Sequence, residues 1–450
     1  MRIVPEKHPK FCAAVPSFPP LAKGWSGGVV SARPANWLAS PRLALPSQVG
    51  ERERSLAPPE RGAAAAPPPP SQGGERERSL SPLSNKQAPH PSFSTQSRGE
   101  GDRLAALLVS VLGLCLLPTP LHAQDLPAPR PASPAADLAI KRGLDYLKAS
   151  QKPDGAWESG GFGRATSVTS LSVMAFLAAG HVPGEPGPYR DCVERGIRYV
   201  LAHQRTDGML VSNASHGPMY CHGISTLMLA EVVGMTSDQA LADQARAALT
   251  KAVKLIISAQ NLAKNPENAG GWRYQPVSRD SDISVSGWQL MALRAARSAG
   301  CAVPSENIDK AIAYLKKCAV SGGGFAYQPG QSPNNPRTGT GVLALEICGE
   351  HLTPEALAGA EYLLGHPPKW SSPYFFYEVY YCSQAMFQMG DKYFPSYYPK
   401  LVQILLDHQD RDGSWLSGDG NDRSGGRNYC TAMAILALAV EYRYLPIYQR

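Results

Sequence analysis

The chain has 450 residues and a formal charge of +7, long enough to bury a sizeable core without disulfide staples. That charge is uneven: Lys and Arg outnumber Asp and Glu 14 to 8 up to Ala123, but only 30 to 29 beyond it. A nearly neutral main part with no basic block excludes nucleic acid as an indicated partner, and nine cysteines without dense, even spacing exclude a disulfide scaffold.

Residues 1–102 are rich in proline and repeat themselves, with Pro46-Ser-Gln-Val-Gly-Glu-Arg-Glu-Arg-Ser-Leu returning almost unchanged at Pro70. Such a stretch buries too little apolar area to offset its ordering entropy, so the leader is expected to be disordered or to lie before the true start codon. Arg103 then opens an apolar run from Leu104 to Leu117 that ends in a small residue at Ala123. That order of basic edge, apolar run and cleavage point predicts a signal peptide over 103–123, a proline-rich linker over 124–135, and a secreted or periplasmic mature chain. The run is too short for a comfortable span, which takes about 20 residues, so no stable membrane span is expected in the mature chain.

From residue 136 two kinds of helical segment alternate. Amphipathic ones start near residues 136, 188, 237, 305, 353 and 395; Leu138-Ala-Ile-Lys-Arg-Gly-Leu-Asp-Tyr-Leu147 is typical, with apolar residues at i, i+3, i+4 and i+7. Between them stand segments almost free of charge: Val168 to Ala179, Ile224 to Val233, Val285 to Leu293, Val342 to Ile347, Cys382 to Met389 and Thr431 to Val440. A helix apolar on every side must be enclosed on every side. Six hairpins with an apolar inner layer and an amphipathic outer layer predict an all-α fold, a closed (α/α)6 toroid over 136–450.

A marker joins the layers. Gln151-Lys-Pro-Asp-Gly-Ala-Trp157 and Gln409-Asp-Arg-Asp-Gly-Ser-Trp415 have one form, Gln204-Arg-Thr-Asp-Gly-Met-Leu210 loses the aromatic end, and Gly270-Gly-Trp272 and Gly322-Gly-Gly-Phe325 keep a remnant. The fifth hairpin carries Trp370-Ser-Ser-Pro-Tyr-Phe-Phe-Tyr377 instead. Glycine supplies the positive φ of a tight turn, the glutamine amide serves backbone groups left free at a helix end, and the ring covers them, so these residues are read as structural.

At this period and between these helix types, the marker resembles the QW repeat of squalene-hopene and oxidosqualene cyclases, shared in weaker form with protein prenyltransferase β subunits. The resemblance covers about Ala136 to Val440 and implies an α/α toroid with an apolar central cavity. It does not by itself imply cyclisation. Such cyclases protonate an alkene with an Asp-x-Asp-Asp motif that follows a Gly-Gly-Trp turn, and here Asp280-Ser-Asp-Ile-Ser-Val-Ser286 stands in that place. Neither register restores the motif, because Ile283 or Ser284 falls where a carboxyl is required. Isolated carboxyls are not acids of the needed strength.

The starts of the inner helices carry the candidate site. Tyr220, Tyr381, Cys382, Tyr429 and Cys430 are expected at one cavity mouth, with Cys382 and Cys430 as a disulfide or two packed thiols. Cys221-His222-Gly223 is similar to the zinc-binding motif of lanthionine cyclases, and with Asp282 it offers a thiolate, an imidazole and a carboxylate to one Zn ion. The alternative for each is structural: Cys221 a small buried hydrophobe, His222 a hydrogen-bonded core residue, Asp282 a helix N-cap. Two function classes follow: a toroid binding an apolar small molecule or peptide in its cavity, or an enzyme of the transferase or isomerase type using Cys221, His222 and a catalytic Asp282.

Overall fold

In the computed structural model the described residues are 133–161, 164–212 and 217–449. The leader, the signal-like run 103–123 and almost all of the linker lie outside them.

Among the described residues the chain is helical, with only isolated β-bridges at its turns. The outer helices are α1 (Pro134–Ser150), α3 (Arg190–Ala202), α5 (Gln239–Gln260), α7 (Ser305–Lys317), α9 (Pro354–Gly365) and α11 (Tyr393–Asp407). The inner ones are α2 (Thr166–Ala178), α4 (Pro218–Met235), α6 (Ile283–Ser298), α8 (Asn335–Ile347), α10 (Phe375–Met389) and α12 (Gly420–Leu438). Two short 3₁₀ turns follow, Ala439–Tyr442 and Pro446–Tyr448. The outer helices start within two residues of the expected positions. The inner ones start earlier than expected, because their first turns carry polar and aromatic residues that face a mouth rather than the core and so break the apolar pattern.

Each inner helix packs on the next, α2 on α4, α4 on α6, and so on to α12, which packs back on α2. The expected closed ring of six hairpins is therefore formed. Each outer helix leans mainly on the inner helix before it, α3 on α2 and α5 on α4, with α1 on α12 completing the cycle. The apolar character of the inner helices is spent on this double enclosure: every residue of α2 but Ser167 is buried.

The marker turns are the joints. Gln151 Nε2 donates to the Gly155 carbonyl of its own turn (3.0 Å) and to the Cys192 carbonyl of the next outer helix (2.8 Å). Gln204 does the same with Gly208 and Ala248, Gln260 with Gly270 and Asn307, and Gln409 with Gly413 and Ala139, so that the last joint binds the first helix. The indole N–H of Trp157, Trp272 and Trp415 donates to a carbonyl in the last turns of the preceding outer helix, those of Leu147, Ile256 and Leu405. Gly155 has φ +92°, and a Cβ there would sit 2.3 Å from the Arg195 carbonyl oxygen, so only glycine lets the turn touch the neighbouring helix. In the fifth hairpin Trp370 substitutes for the marker by stacking on His408 at the end of α11 (centroids 4.1 Å apart) and packing edge-on against Phe375 and Phe376.

Aromatic side chains pack into the ring centre. Tyr377 packs on Tyr381, Tyr381 on Trp288, and Trp288 stacks on Tyr380 (5.4 Å, 12°), a chain of contacts that crosses the ring from α10 to α6. All seven cysteines among the described residues are free, so Cys382 and Cys430 form no disulfide. No described helix is long and apolar enough to cross a membrane.

Candidate functional site at the tyrosine mouth

The inner helices begin at one end of the ring, where each start is tied to the next. The Met219 N–H donates to the Tyr274 carbonyl, the Ile283 N–H to Tyr327, the Asn335 side chain to Glu378, the Tyr374 N–H to Asp419 and the Gly160 N–H to the Gly425 carbonyl. Around this mouth stand Tyr220 (α4), Tyr377 (α10), Tyr429 (α12) and, from the turns before α6 and α8, Tyr274 and Tyr327, most of them half-buried. Tyr274 and Tyr327 share a hydrogen bond between their hydroxyls, and the rings of Tyr220 and Tyr274 lie 6.0 Å apart.

Asp282 lies in this wall. It is the N-cap of α6, accepting from the Val285 N–H through Oδ1 (2.9 Å). Its Oδ2 is buried 3.6 Å from Arg273 Nε, and the Tyr327 hydroxyl also acts on the carboxyl. Arg273 also pairs with the exposed Asp280 (3.3 Å) and lies over the rings of Tyr274 and Tyr327, and Arg337 lies over the Tyr327 ring as well. Burial pushes the Asp282 carboxyl up to about 6, against the Val285 N–H and Arg273, which hold it down. Asp422, across the mouth on α12, is likewise raised to about 6 by burial, with a hydrogen bond from Ser417 opposing.

The expected zinc triad is not assembled. Cys221 turns toward α2, its thiol 3.5 Å from Ser167 Oγ, whereas Asp282 faces Arg273. His222 has both ring nitrogens engaged: Nδ1 accepts from the Leu210 N–H (3.1 Å), and Nε2 donates to the Ala252 carbonyl (3.1 Å). Accepting at Nδ1 fixes the neutral tautomer, and burial pulls the imidazole down to about 4. In four of the other five hairpins a hydroxyl does this work, since Thr169, Ser286, Thr338 and Thr431 accept the backbone N–H of Trp157, Trp272, Phe325 and Trp415. His222 is thus the joint residue of the hairpin whose marker ends in Leu210 instead of an aromatic. Among the described residues no three His, Cys, Asp or Glu side chains converge to hold an ion.

Of the other residues placed at the mouth from sequence, Tyr220 and Tyr429 line it. Tyr381, Cys382 and Cys430 are fully buried beneath it, Cys382 against the Asn335 carbonyl and Cys430 against that of Asp422. Sequence reasoning missed Arg273, Tyr274 and Tyr327. The signal was present, because Tyr274 and Tyr327 each stand two residues past a marker aromatic, 53 residues apart. A surface cleft of about 460 Å³ lined by Asp154, Arg164, Arg198, Tyr199, Ala202 and His203 lies apart from these groups, its Arg164 already paired with Asp154 and Glu158.

The fold is an α/α toroid with a buried carboxyl in the wall of its mouth. Residues 273–366 and 371–447 match the prenyltransferase alpha-alpha toroid domain family, in line with the toroid that the marker resemblance implies. Drimenyl diphosphate synthase of Streptomyces showdoensis is 26% identical over 199 residues, 44% of this chain; the chain spans about a third (34%) of that relative's length. The type II terpene cyclase MstE from Scytonema is 17% identical, with a TM-score of 0.47 over 68% of this chain and 98% of that one. The GH76A alpha-1,6-mannanase of Salegentibacter sp. HEL1_6, 10% identical, superposes with a TM-score of 0.51 over 68% of this chain and 99% of its own, a likeness of fold alone.

Proposed function

We propose that this protein is a binding toroid that takes an uncharged, prenyl-type apolar molecule at its tyrosine mouth, with a hydroxyl or similar donor toward Asp282, and performs no alkene cyclisation. The observation that carries this reading is the fully buried Asp282 carboxyl, set in a wall of tyrosines with Arg273 and Tyr327 beside it. A carboxyl near 6 is too weak to protonate an alkene, and its neighbour Asp280 is half-exposed and engaged with Arg273. The Streptomyces relative is named for making a diphosphate. Here a diphosphate would meet the Asp282 and Asp422 carboxyls, while Arg273 is already held by two carboxylates, so the uncharged ligand is favoured. In this reading the chain acts after export, the run from Leu104 to Leu117 serving as its signal.

Titrating the purified protein with farnesol and, separately, with farnesyl diphosphate, following intrinsic fluorescence, tests the assignment. Farnesol should bind saturably, and Tyr327→Ala and Asp282→Ala should each weaken it about tenfold, the loss of about 1.4 kcal/mol. Equal or tighter binding of the diphosphate, or farnesol binding untouched by both variants, overturns it.

A further inference from the structure

The end of the ring opposite the tyrosine mouth is closed by the chain itself. The first 3₁₀ turn, Ala439–Tyr442, touches α2, α10 and α12, and the second, Pro446–Tyr448, touches α4 and α6, so the segment passes over five of the six inner helices. Tyr444 lies against Gly180 at the end of α2, Pro446 against Gly234 at the end of α4, and Leu445, Ile447 and Tyr448 are buried.

Three polar side chains of the apolar inner helices hold this segment. The Ile447 N–H donates to Glu231 Oε2 (3.3 Å), Gln388 Nε2 donates to the Tyr448 carbonyl (3.0 Å), and the Tyr448 and Tyr380 hydroxyls share a hydrogen bond (2.6 Å). Tyr380 is the end of the aromatic chain that begins at Tyr377, so the segment caps the aromatic centre from below. Glu231 is the unusual member. It is a carboxyl 1% exposed on a helix otherwise without charge, and a single backbone N–H is poor compensation for a buried carboxylate.

We propose that residues 444–449 are a proton-controlled latch over this end of the ring, shut while Glu231 is neutral and released when it ionises. Burial pushes the Glu231 carboxyl up to about 8, with the Ile447 N–H as the opposing influence. The titratable groups that sense it are Tyr380 on α10 and Tyr448 on the latch, both themselves raised. Among the described residues no charged group of α2, α5 or α6 acts on Glu231. The charged residues just before the latch face elsewhere, Arg443 over the Phe387 ring and Glu441 toward Tyr398. When the latch lifts, Glu231 meets water and its pKa returns toward the ordinary 4.5. The shut state therefore holds one more proton than the open state between pH 4.5 and 8. Over that window the open population rises by about tenfold per pH unit, and above 8 it levels off.

Hydrogen exchange on the full chain at pH 5.5 and pH 7.5, corrected for the intrinsic rate, reads the latch directly. Protection at Leu445, Ile447 and Tyr448 should fall by up to about a hundredfold between the two, while amides of α2 such as Phe176 stay constant. Glu231→Gln keeps an acceptor for the Ile447 N–H and cannot ionise, so its latch protection should be the same at both pH values. Tyr380→Phe removes one tie and should lower latch protection at both pH values while keeping the slope, which tests the idea even if the Glu231 variant fails to fold. Latch protection independent of pH in the parent, a slope that survives in Glu231→Gln, or a parallel loss in α2 overturns the proposal.

Discussion

The first and second hairpins solve one problem with different chemistry. In the first, Trp157 closes the joint with its indole N–H on the Leu147 carbonyl, and Thr169 receives the Trp157 backbone N–H. In the second, Leu210 has no such donor; His222 takes over the task of Thr169, receiving the Leu210 N–H at Nδ1, and donates from Nε2 to Ala252 on the following outer helix instead of to the preceding one. What is kept is the satisfaction of backbone groups between layers, not the residues that provide it. A small residue at the marker is matched by a large one on the inner helix.

The comparison can be broken first at its strongest point. Trp157→Ala and Trp415→Ala each empty a fully buried ring site and remove the indole tie to the preceding outer helix, and each should cost about 3–5 kcal/mol by denaturant unfolding. If both variants unfold with the parent's midpoint, the joints are not what holds the layers together. His222→Ala should cost about 2–4 kcal/mol, since it empties a fully buried ring site and leaves the Leu210 N–H buried and unsatisfied. Zinc content, measured by elemental analysis, should not change with it. His222 also carries a pH signature. Its folded-state pKa lies near 4, below the ordinary 6.5, so the unfolded chain binds the extra proton and stability falls as pH drops from about 6.5 toward 4, by about tenfold in the unfolding constant per unit. His222→Gln should flatten that part of the profile; a metal-bound histidine would instead lose a bound ion on substitution. The smallest effect belongs to Asp280→Asn, because this carboxylate is half-exposed and its pair with Arg273 is screened. The change should stay below about 1 kcal/mol, and a larger loss would mean that Arg273 is positioned by Asp280 rather than by the tyrosines around it.

How far the sequence could be read follows from the same local logic. Marker spacing and the two helix types were sufficient for six hairpins and for ring closure, because both are periodic. The mouth was only partly legible. Tyr220 and Tyr429 stand at helix starts, where residues of neighbouring hairpins meet, but Arg273 reaches Asp282 through a turn whose geometry no periodicity describes. His222 resembled a ligand because its neighbour is a cysteine; seeing it as a stand-in for a threonine required knowing that Leu210 N–H points at it. The aromatic centre was illegible for a further reason. The Trp288 stack on Tyr380 is a contact between helices that are not neighbours, made only after the ring exists.

The joint between Gln409 and Ala139 links residues 270 apart, whereas the joint from Gln204 to Ala248 links residues 44 apart. Loop-closure entropy grows with the logarithm of separation, at about 0.6 kcal/mol per doubling, so bringing the last hairpin to the first costs about 1.6 kcal/mol more than adding one hairpin to the next. Equilibrium therefore makes little distinction between the seam and the other joints. Time does, because contacts so distant along the chain form slowly, and a chain with five joints made and the sixth still open presents the bare apolar edges of α2 and α12 until the seam is sealed.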